Sequence, residues 1–243
     1  MNFTGINQLW VYLAGSPLLS LFLTIGLFAG SFELVSRVRW LRFIHPAVLT
    51  IVVLILLLVA TKTPYPRYFE GAQFIHFLLG PATVVLAVPL FDNLSRVRAM
   101  LMPLVSSCVF GVFMAIVFTV TLSIVTGAPE AVSISLAPKS VTTPIAMGIS
   151  GTLGGIPELT AAMVLVTGVL GCLTAPIVFK VLRIHDHTVK GFTLGLTAHG
   201  FGTAQSFAKI SALAGAFSGL AMGIAGVTTA IMMPLLMPLF GLH

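Results

Sequence analysis

The sequence predicts an all-α polytopic membrane protein, with about six full transmembrane helices plus two broken or re-entrant helical hairpins arranged as an inverted repeat. Three observations carry this. Apolar residues make up 58% of the 243-residue chain, charged residues only 7%, and mean hydropathy is +1.11, well beyond what a soluble core uses. Several apolar runs reach the roughly 17 to 25 residues that a helix needs to cross a hydrocarbon core. Two further stretches are apolar enough to enter that core but too rich in Pro and Gly to cross it as one regular helix.

Taken in order, full spans fit at about 18–34, 43–61, 71–91, 100–126, 157–182 and 213–240. The N-terminal "MNFTGINQLWVYLAG" has no basic n-region, and no small-residue cleavage pattern precedes Glu33 and Arg37, so it is read as mature chain. The first broken stretch, 131–155, holds Pro138, Lys139, Pro144, Gly148, Gly151, Gly154 and Gly155. The second, 190–209, holds Gly191, Gly195, His199, Gly200, Gly202 and Lys209.

Charge sets the threading. Lys and Arg in short loops favour the cytoplasmic side. Arg37, Arg39 and Arg42, then Arg96 and Arg98, then Lys180, Arg183 and Lys190 mark three inside loops. Lys62 and Arg67 beside Glu70, then Glu130, then Glu158 mark outside ones. If Glu130 and Glu158 are both external, 131–155 enters and leaves by one face. At an offset of 55 residues Thr142 falls on Thr197, Gly168 on Gly223, Gly171 on Gly226 and Thr174 on Thr229. The unit is one hairpin plus one span, and such a unit reverses the side of entry, so two in tandem make an inverted repeat. Residues 1–126 are then scaffold helices, and 127–243 a transport core of two repeats, about 131–182 and 190–240.

The net charge of +6 is dispersed between apolar runs and not gathered on a soluble face, which argues against nucleic acid. Cys108 and Cys172 fall inside apolar stretches and read as small hydrophobes. The six histidines lack metal-ligand spacing, so neither a metal nor a cofactor is expected. No GxSG, HExxH or GxxxxGK[ST] motif is present, and both aspartates, Asp92 and Asp186, lie in loops, so the chain is not expected to be an enzyme.

"LLGPATVVLAVPLF" (78–91), "LAPKSVTTPIAM" (136–147), "GGIPELTAAMVLVTGVLG" (154–171) and "GLTAHGFGTAQS" (195–206) resemble the LrgB/CidB family from the second span onward. The resemblance implies a multi-pass protein of the inner (plasma) membrane, holin-like or antiholin-like in regulating murein hydrolases and cell lysis. It also implies a smaller LrgA/CidA-like membrane partner. It equally implies transport, since other members are associated with pyruvate uptake and a plastid relative exports glycolate and glycerate.

The residues favour transport. An ammonium at membrane depth costs a few kcal/mol and persists where it meets water, a counter-charge or an anion. Lys139 has no carboxylate within its own spans, whereas Ser140, Thr142 and Thr143 supply hydroxyls beside it. His199, Gly200, Thr203 and Gln205 stand in the second break, where an imidazole can donate to a carboxylate or carry a proton. These eight are the expected contacts for a small carboxylate, with Pro81, Pro138, Pro144, Gly148 and Gly202 as hinge or backbone positions. The expected function is passive or proton-coupled transport of a small monocarboxylate of glycolate, glycerate or pyruvate size, by a probable homo-oligomer among membrane lipids. The alternative is a holin-like pore or regulator, which needs no single buried cation.

Overall fold

The computed structural model describes residues 17–38, 45–85 and 87–242. The expectations placed on the first residues, Arg39 and Arg42 lie outside the described residues. Among those described, the regular elements are all helical. They form two compact units, Met1–Val84 and Val85–His243.

In the first unit, α1 (Pro17–Arg37) packs on α2 (Pro46–Ala60), and α3 (Tyr65–Val85) follows. Glu33 and Arg37, one turn apart, pair at 2.5 Å on the exposed end of α1. His45 caps α2, its Nδ1 accepting from the Ala47 N–H at 3.3 Å, and Pro46 stands in the first turn, where its missing N–H costs nothing. Thr24 and Tyr68 tie α1 to α3 through their hydroxyls at 2.8 Å.

The second unit runs through α4 (Ala87–Asp92), α5 (Leu94–Ala99), α6 (Leu101–Val125), α7 (Glu130–Leu136), α8 (Thr143–Thr152), α9 (Pro157–Val181), α10 (His187–Lys209) and α11 (Ala212–Leu236). A short 3-10 turn, Met237–Phe240, extends the last helix. The buried positions of α6, Leu104, Cys108, Val112, Ile116, Thr119, Val120 and Ser123, recur every three or four residues. They form one inward stripe. The opposite face of α6 leaves Phe110 64%, Phe118 71% and Val125 78% exposed. Such a face suits hydrocarbon rather than water.

Four helices among the described residues are long and apolar enough to cross a membrane: Leu18–Arg37, Leu101–Val125, Pro157–Val181 and Ala212–Phe240. The other two expected spans take different forms. The one placed at 43–61 is a helix of 15 residues, about 22 Å long at 1.5 Å per residue and so short of the ~30 Å hydrocarbon core. The one placed at 71–91 falls on α3 and α4, which flank position 86, itself outside the described residues. Its helix begins earlier, with Arg67 and Glu70 in the first turns and Pro81 inside it, which lowers its apolar character.

The first broken stretch is helix, break, helix. Pro138 and Pro144 have no N–H, so the ladder of α7 cannot continue through residues 137–142. Tight bonds fill the gap, Lys139 N–H to Leu136 O at 3.2 Å and Val141 N–H to Pro138 O at 3.3 Å. After α8 the chain turns at Gly154, with φ +85°, a left-handed value that glycine adopts without penalty. It then enters α9, which runs back along α8, with Gly151 against Pro157 and the Thr160 and Ser150 hydroxyls 2.8 Å apart.

In the second stretch α10 is interrupted at His199, with φ 40° and ψ −125°. Residues eight apart in a continuous helix are about 12 Å apart, yet a Cβ on Gly202 would press into the Leu194 carbonyl. The second half therefore folds back on the first. Contacts with α11 give the directions. Gly191 and Gly195 meet Ala214 and Ser218 in increasing order. Thr203 and Phe207 meet Ser218 and Gly215 in decreasing order.

These approaches predict unequal glycines on one packed core. Gly195→Val places its Cβ on the Ser218 carbonyl, backbone that cannot swing aside, and should cost about 3 kcal/mol, the upper end of overpacking penalties. Gly223→Ala, with open space around it, should be neutral within about 0.5 kcal/mol. Thermal unfolding of the purified protein in detergent is the measurement.

Candidate functional site

Breaking a helix frees backbone carbonyls that lipid cannot satisfy. The Lys139 N–H, which a continuing helix would give to the Ser135 carbonyl, turns to Leu136, and the Ser135 carbonyl instead accepts from the buried Thr160 hydroxyl at 3.0 Å. The Ser135 hydroxyl accepts from the Ile156 N–H at 2.7 Å. Ser123 and Ser133 bond each other at 2.6 Å where α7 leaves α6. Gly155 completes this buried hydroxyl cluster, since a Cβ there would collide with Ser150 Oγ and lie 3.0 Å from Ser135 Oγ. The cluster fixes where the first break lies.

The break opens onto a cavity of about 110 Å³. Ala137, Pro138, Ser140 and Val141 form one wall, residues 111–116 of α6 a second, Leu196 and Thr197 of α10 a third, and Ala225 and Thr229 of α11 a fourth. Both broken stretches thus reach one space. Its lining is apolar except for the hydroxyls of Ser140, Thr197 and Thr229.

Lys139 is half-buried beside this cavity and does not line it. Its ammonium donates to Thr119 Oγ1 on α6, and Thr119 in turn donates to the Ala115 carbonyl at 2.6 Å. No ion pair joins Lys139 to a carboxylate among the described residues, so its partner is neutral. Thr142 caps α8 through its carbonyl, which accepts from Ala146 N–H at 2.9 Å, and Thr143 opens the helix. Among the described residues the hydroxyls of Ser140, Thr142 and Thr143 have no hydrogen bond, so they retain their capacity for a solute. Pro144 and Gly148 are exposed on α8, and Pro81 is exposed on α3.

The second set of expected contacts has a different task. His199 is buried, and its Nε2 faces the Val164 carbonyl at 3.0 Å; a carbonyl only accepts, so Nε2 carries the proton. Phe201 meets the ring edge-on at 5.8 Å. Gly168 makes room for it, because a Cβ there would lie 2.8 Å from the ring. Thr203 donates to the His199 carbonyl at 3.0 Å and meets Ser218 at 3.0 Å, and Gln205 donates to the Cys172 carbonyl at 3.0 Å. His199, Thr203 and Gln205 therefore tie the turn to α9 and α11. Gly200 is exposed with open space beside it, and Gly202 is packed on Leu194. Lys139 and His199 share no partner.

Sequence reasoning passed over Thr119, Thr197, Thr229 and the Ser135, Ser150, Thr160 cluster. A signal existed for two of them: Thr197 and Thr229 are the threonines that the offset of 55 residues aligns with Thr142 and Thr174. Among the described residues no group of three or more His, Cys, Asp or Glu could hold a metal ion.

A family model described as the LrgB-like family matches residues 24–239. The uncharacterized protein YwbG of Bacillus subtilis is 32% identical over 90% of this chain and 97% of its own length. The holin-like protein CidB of Staphylococcus epidermidis is 26% identical over 81% of this chain and 86% of its own. The antiholin-like protein LrgB of Bacillus mycoides is 29% identical over 73% of this chain and 76% of its own. No solved structure matches the chain.

The hydroxyl cluster predicts a penalty that size alone does not. Thr160→Val keeps the volume but strands the Ser135 carbonyl in a buried site, at about 1 to 3 kcal/mol. Thr160→Ser keeps the donor and should recover most of it. Unfolding midpoints of the two variants in detergent check this, and equal midpoints would remove the cluster from the account.

Proposed function

The chain belongs to the LrgB-like family, and from that premise we propose a holin- or antiholin-like membrane protein whose core is a path for a small monocarboxylate. The observation that supports the path is the convergence of both helix breaks on one cavity beside a cation that has no carboxylate. The cavity's volume of about 110 Å³ equals three to four shares of liquid water at about 30 Å³ each, the scale of a solute with a handful of non-hydrogen atoms. Lys139 would supply the charge and Ser140, Thr142, Thr143, Thr197 and Thr229 the hydroxyls. Glycolate, glycerate and pyruvate have this size and charge, and movement would be passive or proton-coupled. No catalytic step is proposed.

In this reading the two hairpin-plus-span units form an inverted repeat. Two contacts support it. Gly171, on the span of the first unit, lies under Ala198 of the second break, and its counterpart Gly226 lies under Ile145 beside the first break. Each span packs on the other unit's hairpin. The inner membrane, a homo-oligomer and a smaller LrgA/CidA-like membrane partner complete the proposal.

The relatives' names favour a second reading: CidB is called holin-like and LrgB antiholin-like. Here the chain would assemble or restrain a pore and so regulate murein hydrolase activity and lysis, with Lys139 as a structural anchor. On names alone this reading has the stronger support, whereas the geometry supports the solute path.

One set of proteins separates them. Purified, monodisperse wild type, Lys139→Met, Lys139→Arg and Thr229→Val are reconstituted with and without the smaller partner, and monocarboxylate uptake is measured. Lys139→Met should lower uptake more than tenfold, because the anion would be desolvated without a counter-charge. Lys139→Arg should rescue only part, since a guanidinium is bulkier than an ammonium. Thr229→Val should cost about 1 kcal/mol of binding. Wild-type uptake by Lys139→Met would sink the solute path and leave the pore reading. Separately, cysteines at positions 130 and 158 should label from one side of the membrane; opposite sides would end the inverted repeat.

A further inference from the structure

At the other end of α9 and α10 four basic side chains, three from residues 180–190 and one from residue 209, line one open pocket. Lys180 comes from the last turn of α9, His185 from the connection, Lys190 from the first turns of α10 and Lys209 from its end. The fold-back at His199 is what returns Lys209 to the level of Lys190. The pocket holds about 430 Å³, nearly four times the cavity between the two breaks. Its walls are apolar, with Phe179 and Ile210 among them.

The neighbouring acid does not neutralise it. The Asp186 carboxylate is turned away, accepting from the Val189 N–H at 3.0 Å and pairing with Arg96 at 3.1 Å. Those bonds, the Val189 N–H first, hold its carboxyl below the usual range. No carboxylate lines the pocket. Three ammonium groups line one pocket whose lining has no carboxylate, an arrangement that gains from a multivalent anion more than from a single carboxylate.

We propose that this pocket is a binding site for a phosphate group, distinct from the solute cavity and independent of which solute that cavity takes. Basic pockets between helices at the cytoplasmic surface suit phospholipid headgroups, and the apolar walls suit the portion of a lipid next to its phosphate. A soluble phosphorylated compound offers the same oxyanion. Lys180, Lys190 and Lys209 provide the charge and Gln205 stands at the inner end.

The test uses the full chain in nanodiscs, with binding read as a rise in unfolding midpoint. One arm replaces part of the phosphatidylcholine with phosphatidic acid, whose phosphomonoester can carry two charges; the other adds pyrophosphate to phosphatidylcholine discs at ionic strength fixed with chloride. Wild type should rise in at least one arm. A response to phosphatidic acid alone assigns the headgroup, and a response to pyrophosphate assigns a soluble phosphate. Changing Lys180, Lys190 and Lys209 together to Gln should abolish the rise or weaken apparent affinity more than tenfold, while the same three changed to Arg should keep it. Lys180→Gln and Lys209→Gln singly, both at exposed positions, should each weaken it, and Arg98→Gln, outside the pocket, should not. No rise with either probe, or an undiminished rise in the triple Gln and single Gln variants, overturns the proposal.

Discussion

Everything in the second unit depends on one constraint: a backbone that stops being helical inside a membrane must find new partners for its polar groups. Each unsatisfied group costs several kcal/mol in hydrocarbon, more than any single packing contact returns. The chain meets this with hydroxyls. Ser135, Ser150 and Thr160 are all buried, and together they take up the carbonyl freed before Pro138 and the N–H of Ile156 at the start of α9. At the base of the second fold-back, the Ile210 and Ser211 N–H groups both return to the Ser206 carbonyl, and Ser211 then caps α11. Polar residues in these stretches are therefore first a structural necessity, and a functional claim has to rest on those left over.

The second device is close approach. Two helical halves and a third helix occupy one small volume around residues 191–218, which is possible only where backbones touch. Gly191 and Gly195 lie directly on carbonyls of α11, and Gly202 on a carbonyl of α10. Gly223 and Gly148 have no such neighbour. Glycine spacing alone does not distinguish these cases, and only the fold decides which glycines are indispensable.

That difference explains what was legible beforehand. Pro138, Lys139 and Pro144 announce a break because no regular helix accommodates two prolines and an ammonium at membrane depth, and the break is there. The glycine-rich run after Lys190 announced a second interruption, which falls at His199 with a positive φ. The side-chain directions were not legible. Whether Lys139 reaches into the cavity or sideways to Thr119, twenty residues away, depends on a rotamer and on how α6 packs. His199 looked like a ligand beside Lys139, yet Gly168 on another helix shapes a slot that takes its ring. The span expected at 43–61 came out shorter for a simpler reason: a hydropathy window runs smoothly across Pro46 and Thr61, where the helix actually starts and stops.

Magnitudes indicate why the leftover charge matters. A lysine at mid-depth costs about 2.5 to 3.5 kcal/mol on insertion scales. A hydrogen bond from a charged donor to a neutral hydroxyl recovers about 1.5 to 3 kcal/mol at best, and Thr119 accepts it while giving its own proton to the Ala115 carbonyl. The ammonium has three donors, and one has a protein partner here. Neutral contacts therefore leave Lys139 close to break-even, whereas an anion in the adjacent cavity would supply the one interaction that charge is suited for. Ser140 and Thr229 are already oriented toward that space. A purely structural anchor would have no use for the charge, because a methionine of similar length would fill the same position without the insertion cost.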